Sequence, residues 1–476
     1  MKLSVIIPSY NSEDLLIKGL KSLMNQDLKS PDSYEVIVVD DGSNDGTREA
    51  VERAAERFRE LHYAYLPRDE RSCRSRARNT GLWKASGEIA CFLDSGIIVP
   101  ADYLSRVADY YRTHSLESVL LHNTYGLEVD SAQIDLESLD RLDLQDPSAY
   151  RQALKEPYWR DPRHSLFESD GFGGLQAPWF LGFSCAFAVS AEAARAVGGF
   201  DEAFLEWGTE DIEFSYRLHR SGLKFDHIRN LTVFHYPHPI VSTAAKAESN
   251  ARNKRYMHAK YNRIETEMNA ILSGGSFLFL MEKLYALRMD RIMEEPYPAR
   301  DLDELNEAVL ESADRSLLVG ADGLETARRL KTTHLLASSE EQLELFEFAF
   351  PDREVAYLLG CLTPYEDDDF DAVVVTDWIR LMHPDIRQRM MRELTRIGRQ
   401  VVWLHAELSG SKIDQIYHAH PLPEENLVGS PIGRFVAMEK VFHASMEEML
   451  ELIRPFERVR IHECHRAIKN GSDRRQ

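Results

Sequence analysis

The sequence predicts an α/β protein made of two successive parallel-sheet domains. Short β-branched runs alternate with helical patterns through about the first hundred residues, as in a parallel sheet covered on both faces. The alternation restarts after about residue 300, and 476 residues exceed one ordinary domain.

Leu3–Ile7 is the first strand, broken by Pro8, with Asn11 or Ser12 available to cap the next helix. Leu15, Leu16, Gly19, Leu20, Leu23 and Met24 then recur at helical spacing. Glu35–Val39 is the second strand and ends in the turn Asp40-Asp41-Gly42-Ser43. From Thr47, the residues Val51, Ala54, Ala55 and Phe58 form another apolar helical face. Ile89–Leu93 is expected as the third strand, ending in Asp94-Ser95-Gly96. Residues 130–178 are polar and proline-punctuated, and are expected to form a long excursion over the sheet. Trp179–Pro239 is regular again, and 244–295 is mainly helical. The expected division is a first domain at 1–243, a helical connector at 244–300 and a second α/β domain at 301–476. In the last, Ser316–Val319, His334–Ala337, Ala372–Val375 and Val401–Leu404 read as strands, with helices at Leu324–Leu330, Glu340–Phe350 and Ile386–Ile397.

The formal charge of −21 repels polyanions, so no nucleic-acid partner is expected. Five cysteines without a CxxC pair fit reduced thiols in a cytoplasm. The opening MKLSVIIPSYN reads as a strand rather than a signal peptide, and no apolar run approaches the roughly 20 residues that span a bilayer. A soluble, cytoplasmic protein is expected, with peripheral membrane association and homo-oligomerisation left open.

Ligands of open parallel sheets bind beyond the carboxyl ends of the strands. Here those ends carry Ser9-Tyr10-Asn11, Asp40-Asp41 and Asp94. Aspartates there either hold a ribose, a base or a hard divalent cation, or merely cap a turn. Pro67–Asn79 gathers Arg68, Arg71, Arg74, Arg76 and Arg78 into what reads as one short loop. It is either a pyrophosphate grip or a solvated basic face. Trp207-Gly208-Thr209-Glu210-Asp211 comes after the glycine-bearing turn Gly198-Gly199-Phe200-Asp201-Glu202, and places adjacent acids, suited to general-base work, beside an aromatic wall. His235 and His238, in FHYPHP, are either structural or metal ligands.

SVIIPSYN, VIVVDDGSNDGT, RARNTGLWKASGEIACFLDS and GGFDEAFLEWGTEDIEFSYRLHRSG, in that order, resemble family 2 glycosyltransferases of the GT-A fold over about residues 1–240. The last block is similar to a galactosyltransferase-type C-terminal motif. The resemblance implies a Rossmann-like nucleotide-diphospho-sugar transferase domain and an inverting transfer of a hexosyl or N-acetylhexosaminyl group. It implies that Pro8 and Tyr10 line the base pocket, that Asp41 contacts the nucleoside and that Arg78 lies near the diphosphate. Asp94 takes the first place of the metal-binding DxD motif. Asp211 matches the catalytic base with Glu210 beside it, and Trp207 walls the sugar–acceptor site. His235 matches a metal ligand, with His238 as the fallback. The implied partners are a nucleotide sugar, UDP-linked by resemblance, and a glycan, peptide or small-molecule acceptor. The implied cofactor is Mn²⁺ or Mg²⁺.

One position departs from the pattern. Gly96 stands where the second Asp of DxD is expected and offers no side-chain ligand. This leaves three outcomes: a metal held by Asp94, His235 and the diphosphate; a weakened metal requirement with arginines carrying the charge; or a catalytically silent nucleotide-sugar binder.

Residues 313–408 resemble a class I methyltransferase fold, through LLVGADGLETARRL, LTPYEDDDFDAVVVTDWIRLM and MMRELTRIGRQVVWL. Its cofactor features are degenerate: Leu318 and Ala337 occupy acid positions, and Asp322 and Leu324 replace loop glycines. The expectation is a second Rossmann-like domain without S-adenosylmethionine, a bifunctional transferase–methyltransferase being the alternative. His462-Glu463-Cys464-His465 is expected to be incidental.

Overall fold

The computed structural model describes residues 1–127, 135–142, 149, 161, 163, 172, 174–239, 244–272, 276–278, 280–282, 284, 297–321, 323–406 and 445–464. The chain divides into two compact units, Met1–Asn253 and Lys254–Gln476. The division falls inside one helix, Ala244–Tyr261, rather than at residues 243 and 300. Most of the expected connector therefore belongs to the second unit. Of the excursion at 130–178, only 135–142, 149, 161, 163, 172 and 174–178 lie among the described residues.

The first unit opens with strand β1 (Lys2–Ser9), helix α1 (Glu13–Leu23), β2 (Ser33–Asp40), α2 (Thr47–Ala55) and β3 (Leu61–Tyr65). It continues through α3 (Arg74–Lys84), β4 (Ile89–Leu93), β5 (Ile97–Ile98), α4 (Tyr103–Thr113) and β6 (Ser118–Tyr125). After the excursion come β7 (Ala186–Ser190), α5 (Ala191–Ala196), α6 (Glu210–Arg220), β8 (Lys224–His235) and α7 (Ala244–Tyr261). The eight strands form one mixed sheet in the order β3-β2-β1-β4-β7-β6-β8-β5. Strands β3, β2, β1 and β4 run parallel, and β7 is antiparallel to both its neighbours.

Ile89–Leu93 is thus the fourth strand, not the third. Leu61–Tyr65 precedes it at the sheet edge, where its residues are only partly covered or exposed, so it lacks the apolar run of a central strand. The central strands carry that run because both their faces are buried: Val5, Ile6, Val36, Val38, Ile89 and Phe92 are fully inaccessible. Leu16, Leu20 and Leu23 of α1 join the same core, as the helical spacing requires. Since β1 leads to β2 on one side and lies against β4 on the other, its carboxyl end is the topological switch point of the parallel region. Asp40, Asp41 and Asp94 stand at that edge.

The second unit carries a six-stranded, all-parallel sheet in the order β11-β10-β9-β12-β13-β14. The strands are β9 (Ser316–Val319), β10 (His334–Leu336), β11 (Glu354–Ala356), β12 (Ala372–Thr376), β13 (Val401–Ala406) and β14 (Val459–Cys464). This is the doubly wound order expected of a Rossmann-like domain. The sequence did not mark β11 or β14, the two edges. His462 lies in β14 and its Nε2 is 3.0 Å from the Asp301 carbonyl, while His465 falls outside the described residues.

The turn after β9 is filled from within. Gly320 has a φ of +71°, and a β-carbon there would meet Thr376 Oγ1 and Trp378 at 2.9 Å. The Thr376 hydroxyl donates to the Gly320 carbonyl. Leu318 and Ala337, at the two expected acid positions, are buried in the core; Asp322 lies outside the described residues. Among the described residues, no helix is long and apolar enough to cross a membrane.

Candidate active site

The arginine-rich stretch is not one loop. Helix α3 starts within it, capped by Cys73, whose sulfur accepts from the Arg76 N–H at 3.4 Å. Arg74, Arg76 and Arg78 are therefore helical, while Arg68 and Arg71 precede the helix. Local carboxylates take up most of their charge. Arg71 and Arg76 pair with Asp69 at 3.2 and 2.7 Å, and Arg68 pairs with Asp41 at 2.5 Å. The Arg68 guanidinium also lies 4.1 Å from the centre of the Tyr10 ring, a cation–π stack on an otherwise exposed aromatic.

Arg78 departs furthest from expectation. It is 1% exposed, and it joins two distant carboxylates rather than facing solvent. Nη2 donates to Asp94 Oδ1 at 3.0 Å and Nη1 to Glu210 Oε1 at 3.3 Å. Below it, the guanidinium is 5.3 Å from the Phe200 ring. Phe200 stacks on Phe214 at 4.1 Å and meets Phe92 edge-on at 5.3 Å, so the charged group rests on an aromatic floor. One residue along α3, Asn79 accepts from the Phe200 N–H at 2.7 Å and donates to the Phe200 carbonyl and Glu202, tying the GGFDE turn to the helix.

Asp211 lies in the first turn of α6. Its Oδ2 accepts from the Ser184 N–H at 3.1 Å, with the Ser184 hydroxyl at 3.4 Å, and Oδ1 accepts from the Ile212 N–H at 2.8 Å. Desolvation and the adjacent Glu210 push its carboxyl up to about 6, against the pull of the Ser184 and Ile212 N–H groups and of Arg78. The preceding loop is under backbone strain. Gly208 has a φ of +103° and Thr209, β-branched, a φ of +71°. A non-glycine residue held there costs about 1–3 kcal/mol. Trp207, just before, is 44% exposed.

The other predicted residues divide. Asp40 is fully engaged by the Ser43 N–H at 2.8 Å and the Tyr63 hydroxyl at 2.6 Å, the turn-capping outcome. The Pro8 carbonyl accepts from Ser95 Oγ at 2.8 Å, holding the Asp94-Ser95-Gly96 turn to the end of β1. His235 ends β8, paired with Ile97, and Gly96 accepts from the Tyr236 N–H at 2.8 Å. The Nδ1 of His235 is buried without a hydrogen-bond partner, and burial and the neighbouring His238 push its imidazole down to about 4. A neutral ring with an orphaned nitrogen in the field of Asp94 fits a divalent-metal ligand. His238 stacks edge-on at 5.1 Å from His235, with its own Nδ1 at 3.2 Å from the Pro239 carbonyl. Among the described residues, the one three-ligand cluster whose donor atoms lie within 4.8 Å is Glu35, Glu60 and His62. That cluster is at the amino end of β2, away from this edge, and Lys2 is ion-paired to both glutamates. Asp94, His235 and His238 are thus not assembled as a compact triad.

Gly96 has no steric excuse. The three atoms nearest to a β-carbon there all belong to Leu15, the first at an ordinary 3.5 Å, and its φ is not left-handed.

Residues 4–133 match the family model described as glycosyl transferase family 2, and 174–239 match one described as the N-terminal domain of galactosyltransferase. The chain is 28% identical to validoxylamine A glucosyltransferase of Streptomyces hygroscopicus subsp. limoneus over 412 residues, covering 84% of this chain and 89% of that protein. The chain is a glycosyltransferase. A shorter similarity, 29% over 251 residues, links it to chondroitin synthase of Pasteurella multocida, covering 50% of this chain and 25% of that enzyme. Among solved structures, S. aureus TarS with UDP aligns at 20% identity and a TM-score of 0.41, over 64% of this chain and 80% of that one. The Pyrobaculum calidifontis mannosyltransferase with GDP-Man and Mn²⁺ aligns at 21% and 0.39, over 60% and 75%.

In this glycosyltransferase Arg78 was expected near the diphosphate, within a run read as a pyrophosphate grip or a solvated face, and it is buried between Asp94 and Glu210. Ser184 and Asn79 were not marked as site residues. Both are small polar residues whose positions matter only through partners far along the chain. Arg78→Met leaves the buried Glu210 without its cation, which for a buried pair costs about 3–5 kcal/mol, while the partly exposed Asp94 adds little. Urea unfolding should show that loss, with Arg78→Lys losing less.

Proposed function

We propose that the protein transfers a hexosyl or N-acetylhexosaminyl group from a nucleotide-diphosphate sugar, UDP-linked, to an acceptor nucleophile, with inversion at the anomeric carbon. The observation that carries this reading is Asp211 itself. It is a carboxylate fixed by Ser184, with its proton affinity raised, in the first turn of a helix tied through Glu210 and Arg78 to Asp94. The family 2 match and the near full-length match to a glucosyltransferase support the hexosyl donor.

In this mechanism Asp211 removes the acceptor proton as the nucleophile attacks the anomeric carbon. The bond from that carbon to the diphosphate oxygen breaks on the opposite face. Pro8, Tyr10 and Asp41 receive the nucleoside, a base on Tyr10 displacing the Arg68 guanidinium stacked there. Trp207 walls the sugar and acceptor. Asp94 and His235, with His238 as the fallback, are the residues that would hold Mn²⁺ or Mg²⁺. When bound, the ion neutralises charge on the leaving diphosphate. Glu210 keeps Arg78 in place and raises the basicity of Asp211.

Gly96 motivates the second reading, a nucleotide-sugar binder without turnover. Transfer and hydrolysis across a panel of UDP- and GDP-sugars, with and without Mn²⁺, separate the two. For the second unit we propose a scaffold role, in acceptor recognition or assembly, since Thr376 and Trp378 fill the space against Gly320.

Four outcomes check these proposals. Asp211→Asn should lower kcat by at least about 10²-fold with UDP affinity retained. Wild-type turnover should fall on the acid side with an apparent pKa near 6, because only the deprotonated carboxylate accepts a proton. A pH-independent rate between about 5 and 8 would remove Asp211 from that role. Gly96→Asp should fold normally and increase the dependence of UDP binding on Mn²⁺, read by calorimetry. Calorimetric titration of the full-length protein with S-adenosylmethionine should show no binding at micromolar concentrations; saturable binding there would make the second unit a cofactor domain.

A further inference from the structure

We propose that Asn250, on α7, is a positioning residue that holds the loop Trp207–Thr209 and thereby aims Asp211; the proposal rests on the reading of Asp211 as the base. Three residues of α7 each anchor one residue of that loop. Ser249 Oγ donates to the Trp207 carbonyl at 2.9 Å, Asn253 Nδ2 donates to the Gly208 carbonyl at 2.7 Å, and the Thr209 hydroxyl donates to Asn250 Oδ1 at 2.8 Å. Residues 249, 250 and 253 share one helical face, so the three bonds arrive from a single rigid element.

Asn250 has the central place among them. Thr209 stands at the N-cap of α6, yet its side chain makes no capping bond to the helix; its hydroxyl turns to Asn250 instead. The same Oδ1 lies 2.5 Å from where a β-carbon at Gly208 would be, so Asn250 occupies the space that glycine vacates. It therefore backs both left-handed residues of the loop at once. Without it, the Thr209 side chain loses its partner in a conformation that β-branched residues avoid, while the bonds from Asn253 to the Gly208 carbonyl and from the Glu213 N–H to the Thr209 carbonyl remain. Relaxation of the Thr209 side rotates the first turn of α6. Asp211 lies two residues on. Lys246, also on α7, is 5.7 Å from the Trp207 ring, so the aromatic wall faces the same helix as the base's loop.

The test uses the full-length protein carrying Asn250→Ala, Thr209→Gly or both. Readouts are UDP release from UDP-glucose, UDP affinity by calorimetry, thermal midpoint, and amide exchange of residues 206–212. Asn250→Ala is expected to lower kcat about tenfold or more, as small misplacements of a catalytic group do, with UDP affinity within about twofold. Exchange in 206–212 is expected to accelerate. Thr209→Gly in the Asn250→Ala background is expected to recover most of the loss, because glycine adopts the left-handed conformation without support. Wild-type exchange in Asn250→Ala would overturn the proposal, and exchange reads it whether or not UDP-glucose is the donor. So would a parallel fall of kcat, UDP affinity and thermal midpoint without rescue by Thr209→Gly. Turnover retained by Asp211→Asn overturns the base reading; an inactive Asp211→Asn beside an unaffected Asn250→Ala overturns the clamp alone.

Discussion

A single buried guanidinium ties together three elements at the carboxyl edge of the first unit's sheet. Arg78 reaches from α3 to the end of β4 and to the start of α6, and its charge is what lets two carboxylates approach each other over an aromatic floor. Arg78 bonds Asp94 and Glu210, and Asp211, which holds no bond to it, is left as the carboxyl with raised proton affinity. That affinity is raised by burial first and by the neighbouring Glu210 second, with Arg78 pulling the other way.

The second unit shows the converse. Its all-parallel sheet has the strand order that elsewhere opens a crevice for a cofactor, yet the turn beside β12 is packed by its own side chains. Strand order alone therefore assigns the second unit no ligand.

Much of this was legible in the sequence. The central strands announced themselves because burial on both faces leaves continuous apolar runs, as in Val36–Val39 and Val373–Val375. The edge strands Leu61–Tyr65, Glu354–Ala356 and Val459–Cys464 did not, since an edge strand need bury only part of its surface. Asp94 and Asp211 were marked by ordered motifs. Arg78 was marked only as a member of a basic run, because its partners lie 16 and 132 residues away and no local pattern records them. Ser184, Asn79 and Asn250 carried no signal: a serine or asparagine reveals its task only once its hydrogen-bond partner is known.

Helix α7 bears on how the chain can be divided. A truncation placed at residue 243, where the sequence pattern changes, would keep every strand of the first sheet and every acid of the candidate site. It would also remove Ser249, Asn250 and Asn253, and with them the bonds to Trp207, Gly208 and Thr209. A fragment ending there would be whole in its sheet and without the side-chain bonds that hold the loop Trp207–Thr209. A fragment that keeps these bonds is therefore longer than the sheet it carries.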